Sequence, residues 1–335
     1  MADLHNYTPS AFEHPYYIEY DETSAKKSSQ KVTTFNLYPP FDYYQNIIGS
    51  CNGLICLDGL KDECLIVYVC CICNPITREC VFLPKIENSD YDNHVFLVGF
   101  GYICSTNEYK VVRAYRLKEE PKFVQFVVYT LGSGKGWRSV GKKIGIGMKL
   151  FTRLRGVFAN GSDYWNLGKG KIVAFDLVEE FFVKLPRFSP GSLDFRLGVL
   201  EDYLCITHKT GAKSADIWLF KQKNDNSFSW SKEFSLINTS SYNVPLGLTS
   251  SGTVLCHDSS TKFLRHDLKS SSSKKLLDFG KQIYQAIPHM NTLVSLKALG
   301  EEDTKTMESG ENVVQKAEPK MTLHFSKTVR WTHPH

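Results

Sequence analysis

From about residue 47 to about residue 280 the chain repeats one grammar: a short apolar run, a polar turn, and a second short apolar run. Runs of this length, bounded by turn residues, predict β-strands and few helices. In IIGSCNGLICL, Asn52-Gly53 sits between two apolar runs. That is a strong local signal for a tight hairpin, because both central residues must tolerate positive φ. CLIVYVCCICNP then reads as a strand, Asn74 to Arg78 as a polar turn, and CVFLP as an outer strand ended by Pro84.

The same pattern returns four times. VGFGYICSTNEYKVVRAYR pairs strands around Ser105 to Glu108, and FVVYTLGSGKGWRSV adds a hairpin around Gly132 to Gly136. GVFANGSDYWN turns at Asn160-Gly161 and is followed by IVAFDLVEEFFVKLP. A fourth unit runs LGVLEDYLCITHK and DIWLFKQKNDNSFSWSKEF, and a fifth runs LGLTSSGTVLCHD and KFLRHDLKSSSSKKLLDF. With Asn52, Thr106, Asn160, Asp202 and Ser251 as equivalent turns, the separations are 54, 54, 42 and 49 residues. These periods suit four-stranded propeller blades, and the amphipathic runs of a helical solenoid are missing.

A single blade cannot bury both faces, whereas a ring packs every sheet against two neighbours and leaves no long edge open. The expectation is an all-β, kelch-like β-propeller of about six four-stranded blades. Residues 47–299 form the propeller, and residues 1–46 contribute strands to a closing blade. Residues 300–320, polar and poor in aromatics, read as a disordered insertion, and residues 321–335 as a last strand and tail.

The ordered motifs resemble the F-box-associated domain of the plant F-box superfamily, which includes the S-locus pollen F-box proteins. The resemblance runs from GSCNGLICL (Gly49 to Leu57) through NPITRECVFLP (Asn74 to Pro84), FGYICSTNEYKVVR (Phe100 to Arg113) and VYTLGSGKGWRSV (Val128 to Val140). It continues in ANGSDYW (Ala159 to Trp165), FDLVEEFFVKLP (Phe175 to Pro186), DIWLF (Asp216 to Phe220) and SWSKEF (Ser229 to Phe234). Tyr164 stands where the family commonly has His, and Cys70, Cys71 and Cys73 stand where it has less sulfur-rich apolar residues. The resemblance implies the substrate-recognition part of a cullin-RING ubiquitin ligase subunit, which is not itself an enzyme. The family's helical F-box, which docks an Skp-type adaptor, has no counterpart in residues 1–48, which lack apolar helical spacing. Docking to an Skp-type adaptor is therefore expected only if an F-box is supplied from elsewhere.

Composition agrees with a folded, β-leaning chain: 335 residues, 42% hydrophobic, with 21 Phe, 17 Tyr and 5 Trp. The first residues, MADLHNYTPSAFEHPYY, do not read as a secretory signal, so the ten cysteines are expected reduced, in cytoplasm or nucleus. The longest apolar run, Cys64 to Cys73, is about half the roughly 20 residues a membrane helix needs.

Five features invite a chemical reading. Seven thiols (Cys51, Cys56, Cys64, Cys70, Cys71, Cys73 and Cys80) fall close together, but structural zinc wants paired knuckles. Cys71 and Cys73 alternate along a strand and share one face, as packing residues do. Gly136 to Lys143 nearly spells a phosphate-binding loop, yet Lys143 stands where a hydroxyl belongs and no helix follows. His257-Asp258 and His266-Asp267 are adjacent pairs that point to opposite faces of a strand, which disfavours catalysis by a site in the channel. Glu179-Glu180 reads as a solvated turn, and Trp137, Trp165, Trp218 and Trp230 as core wedges. Neither a cofactor nor a metal is expected.

The net charge of +5 conceals one asymmetry. Between Glu120 and Asp163 there is no acid, while Lys122, Lys135, Arg138, Lys142, Lys143, Lys149, Arg153 and Arg155 are all basic. Gathered on one rim, Lys142, Lys143, Arg153 and Arg155 would attract an acidic protein substrate; strand alternation would instead scatter them as solubilising charge. Nucleic acid is disfavoured, since stacking aromatics and a strongly basic domain are not both present. The chain is thus expected to bind target proteins, either for ubiquitination or, without ligase recruitment, as a free-standing scaffold or decoy.

Overall fold

A computed structural model describes residues 15–21, 29–34, 37–38, 43–60, 68–86, 91–120, 122–145, 154–188, 194–237, 243–258, 261–280, 283–309 and 321–326. Three strands precede the repeats: β1 (Pro15–Asp21), β2 (Ser29–Thr34) and β3 (Leu37–Tyr38). The first blade is β4 (Tyr43–Cys51), β5 (Leu54–Leu60), β6 (Tyr68–Asn74) and β7 (Glu79–Phe82). The second is β8 (Tyr91–Ile103), β9 (Glu108–Leu117), β10 (Phe123–Thr130) and β11 (Trp137–Gly145), with the short β12 (Leu154–Arg155) added in parallel to β8. The third is β13 (Val157–Ala159), β14 (Ser162–Asn166), β15 (Ile172–Asp176) and β16 (Phe182–Lys184). The fourth is β17 (Phe195–Leu200), β18 (Tyr203–Gly211), β19 (Ser214–Gln222) and β20 (Phe228–Ile237). The fifth is β21 (Val244–Leu248), β22 (Thr253–His257), β23 (Lys262–Asp267) and β24 (Ser272–Asp278). After it come β25 (Ile283–His289), β26 (Lys305–Thr306), β27 (Glu308–Ser309) and β28 (Met321–Ser326).

The architecture is an all-β propeller of five four-stranded antiparallel blades, not about six. The place between the fifth and first blades is taken by a sheet of another kind, in the order β2-β1-β28-β25. There β28 pairs in parallel with both β1 and β25. A hairpin meander reverses direction at every turn and cannot generate parallel neighbours. The sequence period counts meanders and so does not reach this sheet.

Turn chemistry fixes the blades. Asn52 and Gly53, and likewise Asn160 and Gly161, have positive φ and join the first two strands of their blades. Asn74, Asp176 and Asp267 each end a third strand, and in each the side-chain Oδ1 accepts the N–H groups of the residues two and three positions on. Four positions after each, Arg78, Glu180 and Ser271 are left-handed, with φ of 63°, 54° and 51°. These turns share one end of the ring, here the hairpin face; connections between second and third strands, and between blades, make the opposite loop face.

The core lies between blades. Leu54, Cys56, Cys70 and Ile72 of the first blade meet Phe100, Tyr109 and Val111 of the second. Phe126 of the second meets Trp165 and Phe175 of the third. Cys71, Cys73 and Cys80 line the other face of the first blade with Met307, so the alternating thiols are packing residues. Trp137 Nε1 donates to Pro84 O at 2.7 Å, and Trp230 Nε1 to Pro186 O at 3.3 Å. Each indole thus ties an outer strand to the end of the preceding blade. Trp331 and Cys64 lie outside the described residues.

Ring closure falls to residues 283–309. Gln285 on β25 holds the edge of β4: its Nε2 donates to Ile47 O at 2.6 Å and its Oε1 accepts Ile47 N–H at 3.2 Å. The chain then crosses the hairpin face as a strap. Asn74 Nδ2 donates to Thr292 O and Val294 O, while the Glu79 carboxylate accepts Ser295 Oγ–H at 2.9 Å and Leu296 N–H at 2.5 Å. Leu296 is fully buried. Glu301 accepts Gly132 N–H at 2.7 Å and the Tyr129 hydroxyl at 3.1 Å. A Cβ on Gly53 would stand 1.7 Å from Thr292 Oγ1, and one on Gly132 1.6 Å from Leu299 O, so close approach as well as positive φ demands glycine at both. Residues 300–309, expected to begin a disordered insertion, are instead part of this clasp, because their polar groups have partners on the blades; residues 310–320 lie outside the described residues.

Glu180 is also corrected from a solvated turn residue. Its left-handed backbone delivers the carboxylate to the second blade, where it pairs with Arg138 and with Lys110 Nζ at 2.8 Å; the lysine also donates to Leu177 O. Burial alone would raise the Glu180 pKa, but hydrogen bonds from Arg138 and Lys110 outweigh it and hold it below the usual carboxylate value. Glu180→Ala should destabilise the chain by about 2 kcal/mol, less than for a fully buried pair because Glu180 keeps some exposure. Glu179→Ala, at an exposed position, should change it by a few tenths at most. Urea unfolding of the two variants measures the contrast, and equal midpoints would contradict the ion-pair clamp.

Candidate functional site

The structure describes three of the four predicted cations and places them at opposite edges of one sheet. Lys142 and Lys143 lie on β11, the outermost strand of the second blade, with Lys143 opposite Gln125. Arg155 lies on β12 at the other edge of the same sheet, four strand spacings away, or about 19 Å. Arg153 and Lys149 lie outside the described residues. Exposed Arg155 marks the inner rim of the loop face: its Nη1 donates to Asn46 Oδ1 at 2.9 Å and Gln285 Oε1 at 3.0 Å, linking the first blade, the second and β25. Lys135 and Arg138 lie on the hairpin face, so the acid-free stretch is divided between the two ends of the ring.

Sequence reading passed over a denser group of cations on the third blade. Lys169, Lys171, Lys184 and Arg187 are exposed where the loop 167–171 and the connection after β16 meet on the loop face. Their signal in the sequence is the tight turn Asn166-Leu167-Gly168-Lys169-Gly170-Lys171, which lies outside the acid-free stretch from Glu120 to Asp163.

In the candidate catalytic pairs the histidines lie on strands β22 and β23 and the acids serve turns. Asp258 accepts Lys262 N–H at 3.0 Å, and Asp267 caps the turn after β23. His266 bonds Ser273 Oγ through Nδ1 at 2.5 Å and the Asn243 side chain through Nε2 at 3.2 Å, and burial lowers its pKa. Neither histidine converges with its neighbouring acid on a shared point, as acid–base chemistry needs. The glycine-rich segment ending at Lys143 forms β11 instead of leading into a helix, so it presents no helix terminus to a phosphate.

One buried acid stands out. Asp163 on β14 is fully buried beneath Gly99, whose Cβ would lie 2.4 Å from its carboxyl carbon. Burial pushes its pKa up to about 7, against the Phe100 N–H, which favours the charged form. The position is closed by Gly99 and Gly156 and lies under Trp165, so it is a packing site and not an open cleft.

Residues 14–265 match the model of the F-box associated beta propeller domain. The chain belongs to this family. Among curated relatives, an F-box/kelch-repeat protein of Arabidopsis thaliana is 28% identical over 224 residues, covering 64% of this chain and 58% of the relative. The F-box protein CPR1 of the same plant is 28% identical over 267 residues, covering 69% of this chain and 63% of the relative. The chain thus spans less than two thirds of the length of either. The matched stretch ends before β24, so the closing strand and the strap lie beyond it.

Asp163 gives this family member a pH signature. Its folded pKa of about 7 exceeds the ordinary 3.8, so the folded state binds the proton more tightly than the unfolded state does. Its contribution is most favourable below the ordinary value and declines as pH rises towards 7, by up to about 4 kcal/mol. Thermal midpoints at pH 5 and pH 8 should differ less in Asp163→Asn than in the parent chain, and the variant should be the more stable at pH 8. The same pH dependence in both would contradict it.

Proposed function

We propose that the chain is the target-binding part of an F-box subunit of a cullin-RING ubiquitin ligase, with all covalent chemistry supplied by the ligase. Family membership carries this reading, together with relatives that are F-box proteins. In support, the chain offers a ring whose connections can change independently of its strands, and the acids of its candidate catalytic pairs serve turns. Adaptor docking would come from an F-box segment in a longer product or a partner. Lys142, Lys143, Arg153 and Arg155 contribute to capture of the target. A scaffold or decoy that holds the same targets is the second reading. Among the described residues no helix is long and apolar enough to cross a membrane.

Joining an F-box helical segment ahead of residue 1 in plant cells should lower the abundance of proteins cross-linked to the chain, and proteasome inhibition should restore them. The chain alone should leave them unchanged or raised. Unchanged abundance with the fusion would contradict the receptor reading. Changing Lys142, Lys143, Arg153 and Arg155 together to Glu should weaken capture, and undiminished capture would remove those residues from the surface.

A further inference from the structure

The receptor reading leaves the chemistry of the target undefined, and the third blade supplies it. In the loop 167–171, Gly168, Lys169 and Gly170 all have positive φ, at 81°, 52° and 72°. The loop is closed by Leu167 N–H donating to Lys171 O at 2.9 Å and Lys171 N–H donating to Gly168 O at 3.0 Å. The connection that leaves the blade folds back on it: Leu185 N–H donates to Ile172 O at 3.1 Å, and Phe188 N–H to Gly170 O at 3.3 Å. Lys169, Lys171, Lys184 and Arg187 are therefore carried on two stretches of backbone bonded to each other, all four exposed.

Among the described residues none of the four takes part in an ion pair. Lys184 pairs with Val173, two residues from Lys171, so the two lysines are diagonal neighbours on one side of the sheet, where like charges repel. The hairpin face is different. Its Lys110 and Arg138 are committed to Glu180, and its turns expose Glu179, Glu201, Asp202, Asp225, Glu302 and Asp303. The hairpin-face turns thus mix these acids with exposed Arg78, Lys135, Lys223 and Lys269, and the loop face exposes Glu119, Glu120 and Asp194, whereas the third-blade corner groups four exposed cations on two bonded stretches of backbone.

We infer that this corner captures an acidic, Asp- and Glu-rich segment of the protein partner, a reading that rests on the proposed receptor role. Charge complementarity selects the occupant. Single-stranded nucleic acid would want rings to stack on, and of the exposed rings Phe181, Tyr203 and Phe228 belong to the hairpin-face turns and Phe123 to the second blade, while Phe188 beside Gly170 is buried. Spread along two connections, the cations match several carboxylates in series.

Fluorescence anisotropy of the full chain with a short labelled Glu-rich peptide tests it. Binding should weaken with added salt. Lys169→Glu with Lys171→Glu and Arg187→Glu should weaken it by about tenfold or more, while Lys169→Arg with Lys171→Arg should retain it. If the reversal unfolds the chain, Lys169→Gln with Arg187→Gln should weaken binding in the same direction. Binding unchanged by these variants, or no binding at low salt, would overturn the inference. So would tighter binding of an RNA of equal length lost in the same variant, or binding only when phosphoserines replace the glutamates. If the peptide binds through this corner but the F-box fusion depletes no partner, the receptor reading fails alone; depletion of partners captured without the corner would refute the inference alone.

Discussion

Everything in this propeller depends on closing the ring. Each blade is apolar on both faces and stable only between two neighbours, so the last junction supports all the others. Here that junction is not another meander. Gln285 takes both the N–H and the C=O of Ile47, a side-chain amide in place of a strand ladder. The strap then latches onto two blades through Glu79 and Glu301, each carboxylate accepting a backbone N–H and a hydroxyl. Charge-assisted bonds in partly buried places resist competition from water better than exposed ones do.

The same geometry separates the two ends of the molecule. Strap and hairpin turns occupy one face, where Lys110, Arg138 and Glu180 are committed to holding the second blade against the third. On the loop face Arg155 does such work by linking the first and second blades to β25, while Lys169, Lys171, Lys184 and Arg187 on the third blade take part in no ion pair among the described residues. Connections there can carry charge that no structural contact neutralises, and electrostatic capture of a partner needs charge of that kind.

Local chemistry was legible in the sequence and long-range pairing was not. Asn52-Gly53 and Asn160-Gly161 announced hairpins because the turn demands those residues, and Cys71 and Cys73 announced a shared buried face because side chains alternate along a strand. The repeat period marked five units, and the sixth blade expected from the terminal segments is instead the sheet of β1, β28 and β25, whose strands from far-separated segments pair in parallel and form no meander. Glu301 looked like part of a disordered tract because only its distant partners, Tyr129 and Gly132, give it a place. The basic stretch was visible, but its division between inner and outer strands follows from topology, and the compact corner at Lys169 and Arg187 comes from backbone bonds between segments separated along the chain.

Amide hydrogen exchange measures the closure most directly, because it reports opening strand by strand. In a chain carrying Glu79→Ala and Glu301→Ala, the strap loses both latches. Amides of β4 to β6 and β8 to β10 should then exchange at least about tenfold faster than in the parent chain. Unchanged protection in those strands would show that the ring closes without the strap and would contradict the account.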